Sequence, residues 1–113
     1  MNVYDEAHAL AKALKESPEY RNYMQLKDRV SENEELAESI NDFQQKQFEI
    51  QTQTILGKEP ESDMMEQIQN LYEILLRDPL AAQYLQAEYA FTRLVSDVYQ
   101  ILGEVIKVNP NGS

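Results

Sequence analysis

The stretch DPLAAQYLQAEYAFTRLVSDVYQILGEVIKV, Asp78 to Val108, decides how the chain is read. Leu80, Tyr84, Ala87, Phe91, Leu94, Val98, Ile101, Val105 and Val108 follow one another at alternating steps of four and three. That spacing is one apolar stripe of an α-helix, because 3.6 residues complete a turn. A second stripe runs beside it through Leu85, Val95, Tyr99, Leu102 and Ile106. Two adjacent stripes make a face wide enough for two neighbouring helices. Asp78-Pro79 opens the segment as a cap followed by proline, which loses nothing at the first helical position.

The same reading extends towards the N-terminus. Ser17-Pro18 repeats the cap-and-proline device, and SPEYRNYM at Ser17 echoes DPLAAQYL at Asp78. Val3, Ala7, Leu10 and Leu14 predict a first helix from about Val3 to Glu16, and a second follows to about Val30. Ser31-Glu32-Asn33-Glu34 fits a capping box, with Ser31 as the cap and Glu34 reaching back. A glutamine-rich third helix carries Leu36, Ile40, Phe43, Ile50 and Ile55 and stops near Gly57. GKEPES is the one clear loop, and Ser62 or Asp63 caps a fourth helix through Met64, Ile68, Leu71 and Leu75. The expectation is an all-α antiparallel bundle of about five helices, a single domain over residues 1–113 with a polar tail at 109–113.

Read as one helix, residues 79–108 would span roughly 45 Å at about 1.5 Å per residue. A compact domain of this size is roughly 34 Å across. The last helix is therefore expected to overhang its own domain and to be shielded by a second copy. The residues expected at that interface are Phe91, Leu94, Val98, Ile101 and Val105, with Phe43 and Phe48 as lesser members. A dimer or tetramer is the expected assembly.

Composition narrows the function. Twenty acidic residues against ten basic ones give a charge of −10, which opposes phosphate backbones and anionic membrane surfaces. The absence of cysteine excludes disulfides, thiol nucleophiles and thiolate metal sites. MNVYDEAH has no basic region followed by an apolar run, and no apolar stretch reaches about 18 residues, so a cytoplasmic location is expected.

Candidate sites are few. Asp5-Glu6-Ala7-His8 spells a helicase motif, but a helicase needs it at a strand end beside a glycine-rich phosphate loop, and this chain has three glycines and no GxxxxGK. His8 with Asp5 makes a conceivable Asp-x-x-His metal pair, yet one histidine cannot furnish a di-iron bundle, and an exposed or half-buried surface histidine is the plainer reading. Glu32, Glu34, Glu35, Glu38 and Asp42 read as a solvated helix start favoured by the dipole. The tyrosines could stack unpaired bases, but Tyr84 and Tyr99 lie on the apolar stripes and no basic groove accompanies them. No catalytic residue, cofactor or metal site is expected, and the rival readings are an RNA-contacting processing factor or a metal-binding protein using His8.

The run Y-D-x-A-x-x-L-x-x-A-L-x-x-S-x-E-Y, Tyr4 to Tyr20, resembles the start of the YlbF/YmcA family of small helical proteins from Gram-positive bacteria. The similarity continues through the break at Ser31, the glutamine-rich helix, the ILGKE turn and the last helix, about Tyr4 to Ile106, and is nearest the YheA-type branch. The resemblance implies an all-α fold of about five helices that forms dimers or larger oligomers. It also implies an accessory role in competence, biofilm formation and sporulation, through a complex that influences RNA processing by RNase Y. The best-known members hold iron–sulfur clusters on cysteines, which this chain lacks, and the family offers no catalytic residue to carry over. The expected function is that of a non-enzymatic adaptor or regulatory protein acting through self-association and protein partners.

Overall fold

The computed structural model describes residues 2–106. Five α-helices follow in order: α1 Val3–Glu16, α2 Pro18–Ser31, α3 Glu34–Ile55, α4 Ser62–Leu76 and α5 Pro79–Gly103. Among the described residues there is no strand, as the spacing predicted.

The helix boundaries follow local chemistry. Asn2 caps α1, its Oδ1 accepting the Tyr4 N–H at 2.8 Å. Ser17 is the single residue between α1 and α2. Its Oγ donates to the Leu14 carbonyl at 2.6 Å and accepts the Tyr20 N–H at 3.2 Å. Asp78 does the corresponding work for α5, its Oδ1 accepting the Leu80 and Ala81 N–H groups at 2.9 and 3.3 Å. Gly57 takes φ +81 and ends α3, with Gly57 N–H donating to Thr54 and Lys58 N–H to Gln53. Those two bonds are the Schellman pattern, which requires a left-handed residue and so favours glycine.

Three expectations are corrected. The cap of α3 is Asn33, not Ser31: Asn33 has the extended backbone a cap needs, and its Oδ1 accepts the Leu36 N–H at 3.1 Å. Ser31 stays inside α2 and donates its hydroxyl to the Asp28 carbonyl. At α4 the cap position is Glu61, without a side-chain bond, and Ser62 is already helical. Finally, α5 stops at Gly103 rather than running to 108; its 25 residues span about 37 Å. Beyond it the Glu104 and Val105 N–H groups bond back only three residues, to Ile101 and Leu102, tightening the turn. Glycine costs a helix about 1 kcal/mol, and these last residues have little burial to offset it. Val108 and the polar tail lie outside the described residues.

The chain divides into two compact units, with the divisions falling inside α2 and α5. One unit comprises residues 26–85. Here α3 and α4 pack as a helical hairpin joined by residues 56–61, and Leu26, Val30, Leu36, Ile40, Phe43, Leu75, Ala81 and Tyr84 are buried. Phe43 of α3 stacks on Tyr72 of α4 with centroids 5.5 Å apart. Each fully buried aliphatic side chain contributes roughly 1.5–3 kcal/mol by leaving water. The other unit combines residues 1–25 with residues from 86 onward. Its centre is Phe91, half-buried, against Tyr20 and Tyr23 of α2, with Ala87 buried one turn earlier.

Candidate functional site: the apolar end of the last helix

Burial along α5 fades towards its C-terminus. Ala81, Tyr84 and Ala87 are buried, and Phe91, Leu94, Val95 and Val98 are half-buried. Past Val98 the apolar side chains lose cover: Ile101 is 62% exposed, Val105 87% and Ile106 58%, and Tyr99 and Leu102 are exposed beside them. A continuous apolar segment left open in this way is the usual mark of a surface awaiting a partner. The helix is shorter than the expected 79–108, and its last apolar side chains and those just after it are exposed.

The residues expected at an interface fall in different places. Ile101 and Val105 are exposed, and Leu94 and Val98 border them at intermediate burial. Phe91 is engaged by two tyrosine rings within its own unit. Phe43 is 4% exposed and belongs to the core of the α3–α4 hairpin. Phe48 is exposed on α3, in the other unit from Ile101 and Val105.

One feature escaped the sequence reading. The spacing gives α1 an apolar stripe, yet no residue of that helix is buried. Val3 is 79% exposed and Tyr4 77%, with Ala7, Leu10 and Ala11 also exposed and only Leu14 half-buried. Periodicity reveals that a helix has an apolar face; it carries no information on whether its own chain covers that face.

Charged groups offer no competing centre. Asp5 and His8 are exposed on α1, and among the described residues no three His, Cys, Asp or Glu side chains are grouped to hold a metal ion. Asp42 meets Lys46 at 2.7 Å across one helical turn, a half-buried pair within one helix of the kind that contributes about 0.3–0.5 kcal/mol. A cleft of about 270 Å³ lies between the start of α3 and the end of α4, floored by Leu36, Leu71 and Leu75. Two of its polar rim groups, Asn33 and Asp78, already accept backbone N–H groups as helix caps. No helix among the described residues is long and apolar enough to cross a membrane.

Among the described residues the chain is a small all-helical protein whose most conspicuous surface is an uncovered apolar helix end. More particularly, the chain belongs to the family described as control of competence regulator ComK, YlbF/YmcA, whose model matches residues 3–107. The resemblance seen from Tyr4 to Tyr20 is thereby borne out. A UPF0342 protein of Symbiobacterium thermophilum is 37% identical over 107 residues, covering 95% of this chain and 96% of that one. A UPF0342 protein of Desulfitobacterium hafniense is 37% identical over 113 residues, covering 99% and 91%. Among solved structures, the chain is similar to a DUF964 protein of unknown function from Bacillus stearothermophilus, with a TM-score of 0.76 at 16% identity over 93% of this chain and 92% of that one. It is also similar to a chain in the crystal structure of Bacillus subtilis RicA in complex with RicF, with a TM-score of 0.58 at 20% identity over 93% of both. At these identities the two structures establish the fold alone.

Proposed function

We propose that this protein is a non-enzymatic helical adaptor that associates with itself and with a protein partner. In this reading it acts as a single domain in the cytoplasm, in the control of competence, biofilm formation or sporulation. The observation that carries the proposal is the exposed apolar surface beyond Val98, formed by Tyr99, Ile101 and Leu102 of α5 and by Val105 and Ile106 in the turn after it. Ile101 and Val105 are the anchors, and Leu94 and Val98 are the base on which they sit. Phe91 and Phe43 stiffen the two units from within, and Phe48 is a separate anchor on α3. Recognition is apolar helix-on-helix packing, and the acidic surface steers partners of opposite charge.

Two further facts support this reading. The family is described by its control of a competence regulator. A structural neighbour crystallised with a second protein bound.

Light scattering on the purified chain and on the Ile101→Asp/Val105→Asp variant tests the proposal. The wild type should have the mass of a dimer or tetramer, and the variant that of one chain with its helical circular dichroism retained. A wild type that stays monomeric at high concentration overturns the proposal.

A further inference from the structure

The apolar surface of α5 leaves open which element covers it. We infer that α1 does so in trans: in a two-fold dimer, each copy lays the Val3–Leu14 stripe of its α1 on the 99–106 segment of the other. The inference rests on the self-association proposed above and adds the surface that completes it.

Stability supplies the first reason. Helix α1 has 14 residues, and a lone helix of that length is marginal in water. It nonetheless carries a regular apolar stripe, Val3, Ala7, Leu10 and Leu14, of which its own chain buries none. The end of α5 is in the same condition. Two apolar faces within one compact unit, each uncovered by its own chain, are both satisfied if two copies exchange them.

Size supplies the second. The exposed parts of Val3, Tyr4, Leu10, Tyr99, Ile101, Leu102, Val105 and Ile106 amount to roughly 700 Å² per copy, taking about 150–250 Å² for a whole aromatic side chain and somewhat less for an aliphatic one. A standard stable interface buries about 800 Å² per partner. Shape agrees with size. Ala7 and Ala11 leave a shallow row on α1, and Val98 and Leu102 near the end of α5 present a ridge at the same four-residue spacing, with Val105 and Ile106 in the turn that follows.

Charge decides between this surface and the exposed Phe48, Ile55 and Leu56 of α3. Residues 32–63 hold nine acidic against two basic residues, a charge of −7. Two copies meeting there would bring like charges together. Residues 3–16 hold three acidic against two basic residues, and residues 89–106 two against one, so each segment carries only −1. Of these surfaces, those of α1 and α5 let a chain of charge −10 meet its own copy with less repulsion than the α3 surface does.

The cysteine-free sequence allows a direct test. Ala7→Cys or Leu10→Cys is mixed with Ile101→Cys or Val105→Cys under mild oxidation, each variant distinguished by isotopic mass. Asn70→Cys, at an exposed position of α4, replaces the α5 variant as the control for random collision. At least one α1–α5 pairing should give mixed disulfide dimers about tenfold above the control, because thiols paired in a dimer experience a high effective concentration. In parallel, Val3→Asp/Leu10→Asp should reduce the mass by light scattering to 13.1 kDa while keeping the helical spectrum. A wild-type oligomer with no pairing above the control, and no loss of mass in the α1 variant, overturns this arrangement and leaves self-association standing. A monomeric wild type overturns both.

Discussion

Tyr23 lies over Phe91 with ring centroids 5.7 Å apart and planes inclined by only 12°, and Tyr20 meets the same ring edge-on at 5.4 Å and 64°. The two tyrosines are three residues apart on α2, so one helical face clamps a single ring of α5 in two geometries. Offset stacking and edge-on contact are the favoured arrangements of aromatic pairs, each contributing about 0.5–1.5 kcal/mol beyond area burial. Phe91→Ala should therefore destabilise the protein by about 2–3 kcal/mol, less than the 3–5 of a fully buried phenylalanine because this one is half-buried. The midpoint of urea unfolding measures it, and a loss under 1 kcal/mol would show that the clamp contributes little.

The position of the α3 cap gives a paired prediction. Asn33→Ala removes the acceptor for the Leu36 N–H and should cost about 1 kcal/mol. Ser31→Ala removes only a hydroxyl bonded within α2 and should fall within about 0.5 kcal/mol of wild type. Thermal unfolding of both variants discriminates, and equal losses would return the cap to Ser31.

Two glycines should respond in opposite directions. A Cβ added at Gly57 or at Gly103 meets nothing within 4 Å, so packing does not decide either outcome. Gly57 has φ +81, where an L side chain costs about 1–2 kcal/mol, so Gly57→Ala should destabilise by about that amount. Gly103 closes α5 without positive φ, and Gly103→Ala should stabilise by up to about 1 kcal/mol through helix propensity. Chemical denaturation of the two variants side by side reads the difference in sign.

Salt should separate apolar assembly from charge-driven assembly. If the α5 surface brings copies of a −10 chain together, sodium chloride screens the residual repulsion. Raising the salt from low to about 0.5 M, where the Debye length falls well under 10 Å, should leave the oligomer intact or tighten it. Sedimentation equilibrium across that range checks the point, and dissociation at high salt would assign the assembly to ion pairs.

Much of the fold could be read from residue spacing because each signal involved is local. The bounds of α1 and the starts of α2 and α5 follow from stripes and from Ser17-Pro18 and Asp78-Pro79, all chemistry within one helical turn. The α3 cap was less legible, since Ser31 and Asn33 are both good cap residues and only the backbone conformation at 33 distinguishes them. The end of α5 is not legible in the spacing, because the apolar pattern continues past Gly103, whereas a helix persists only where its bonds or its packing sustain it. For the site, spacing identified Ile101 and Val105 as apolar and outlying, but it could not tell them from Phe43, which has the same character and a neighbour, Tyr72, 29 positions away. Burial by a distant segment leaves no mark on local periodicity.

The junctions of this chain have very unequal slack. Between α1 and α2 stands Ser17 alone, and between α4 and α5 only Arg77 and Asp78, each junction locked by a proline on its far side. One residue added at either place would turn the downstream helix by roughly 100° and swing its greasy side away from what it touches. The connection from Leu56 to Glu61 is mostly exposed and has no such constraint, since its ends are anchored by the α3 and α4 helices rather than by each other. Length variation within the family should collect there, and an epitope or fluorescent reporter should be spliced there rather than at either proline.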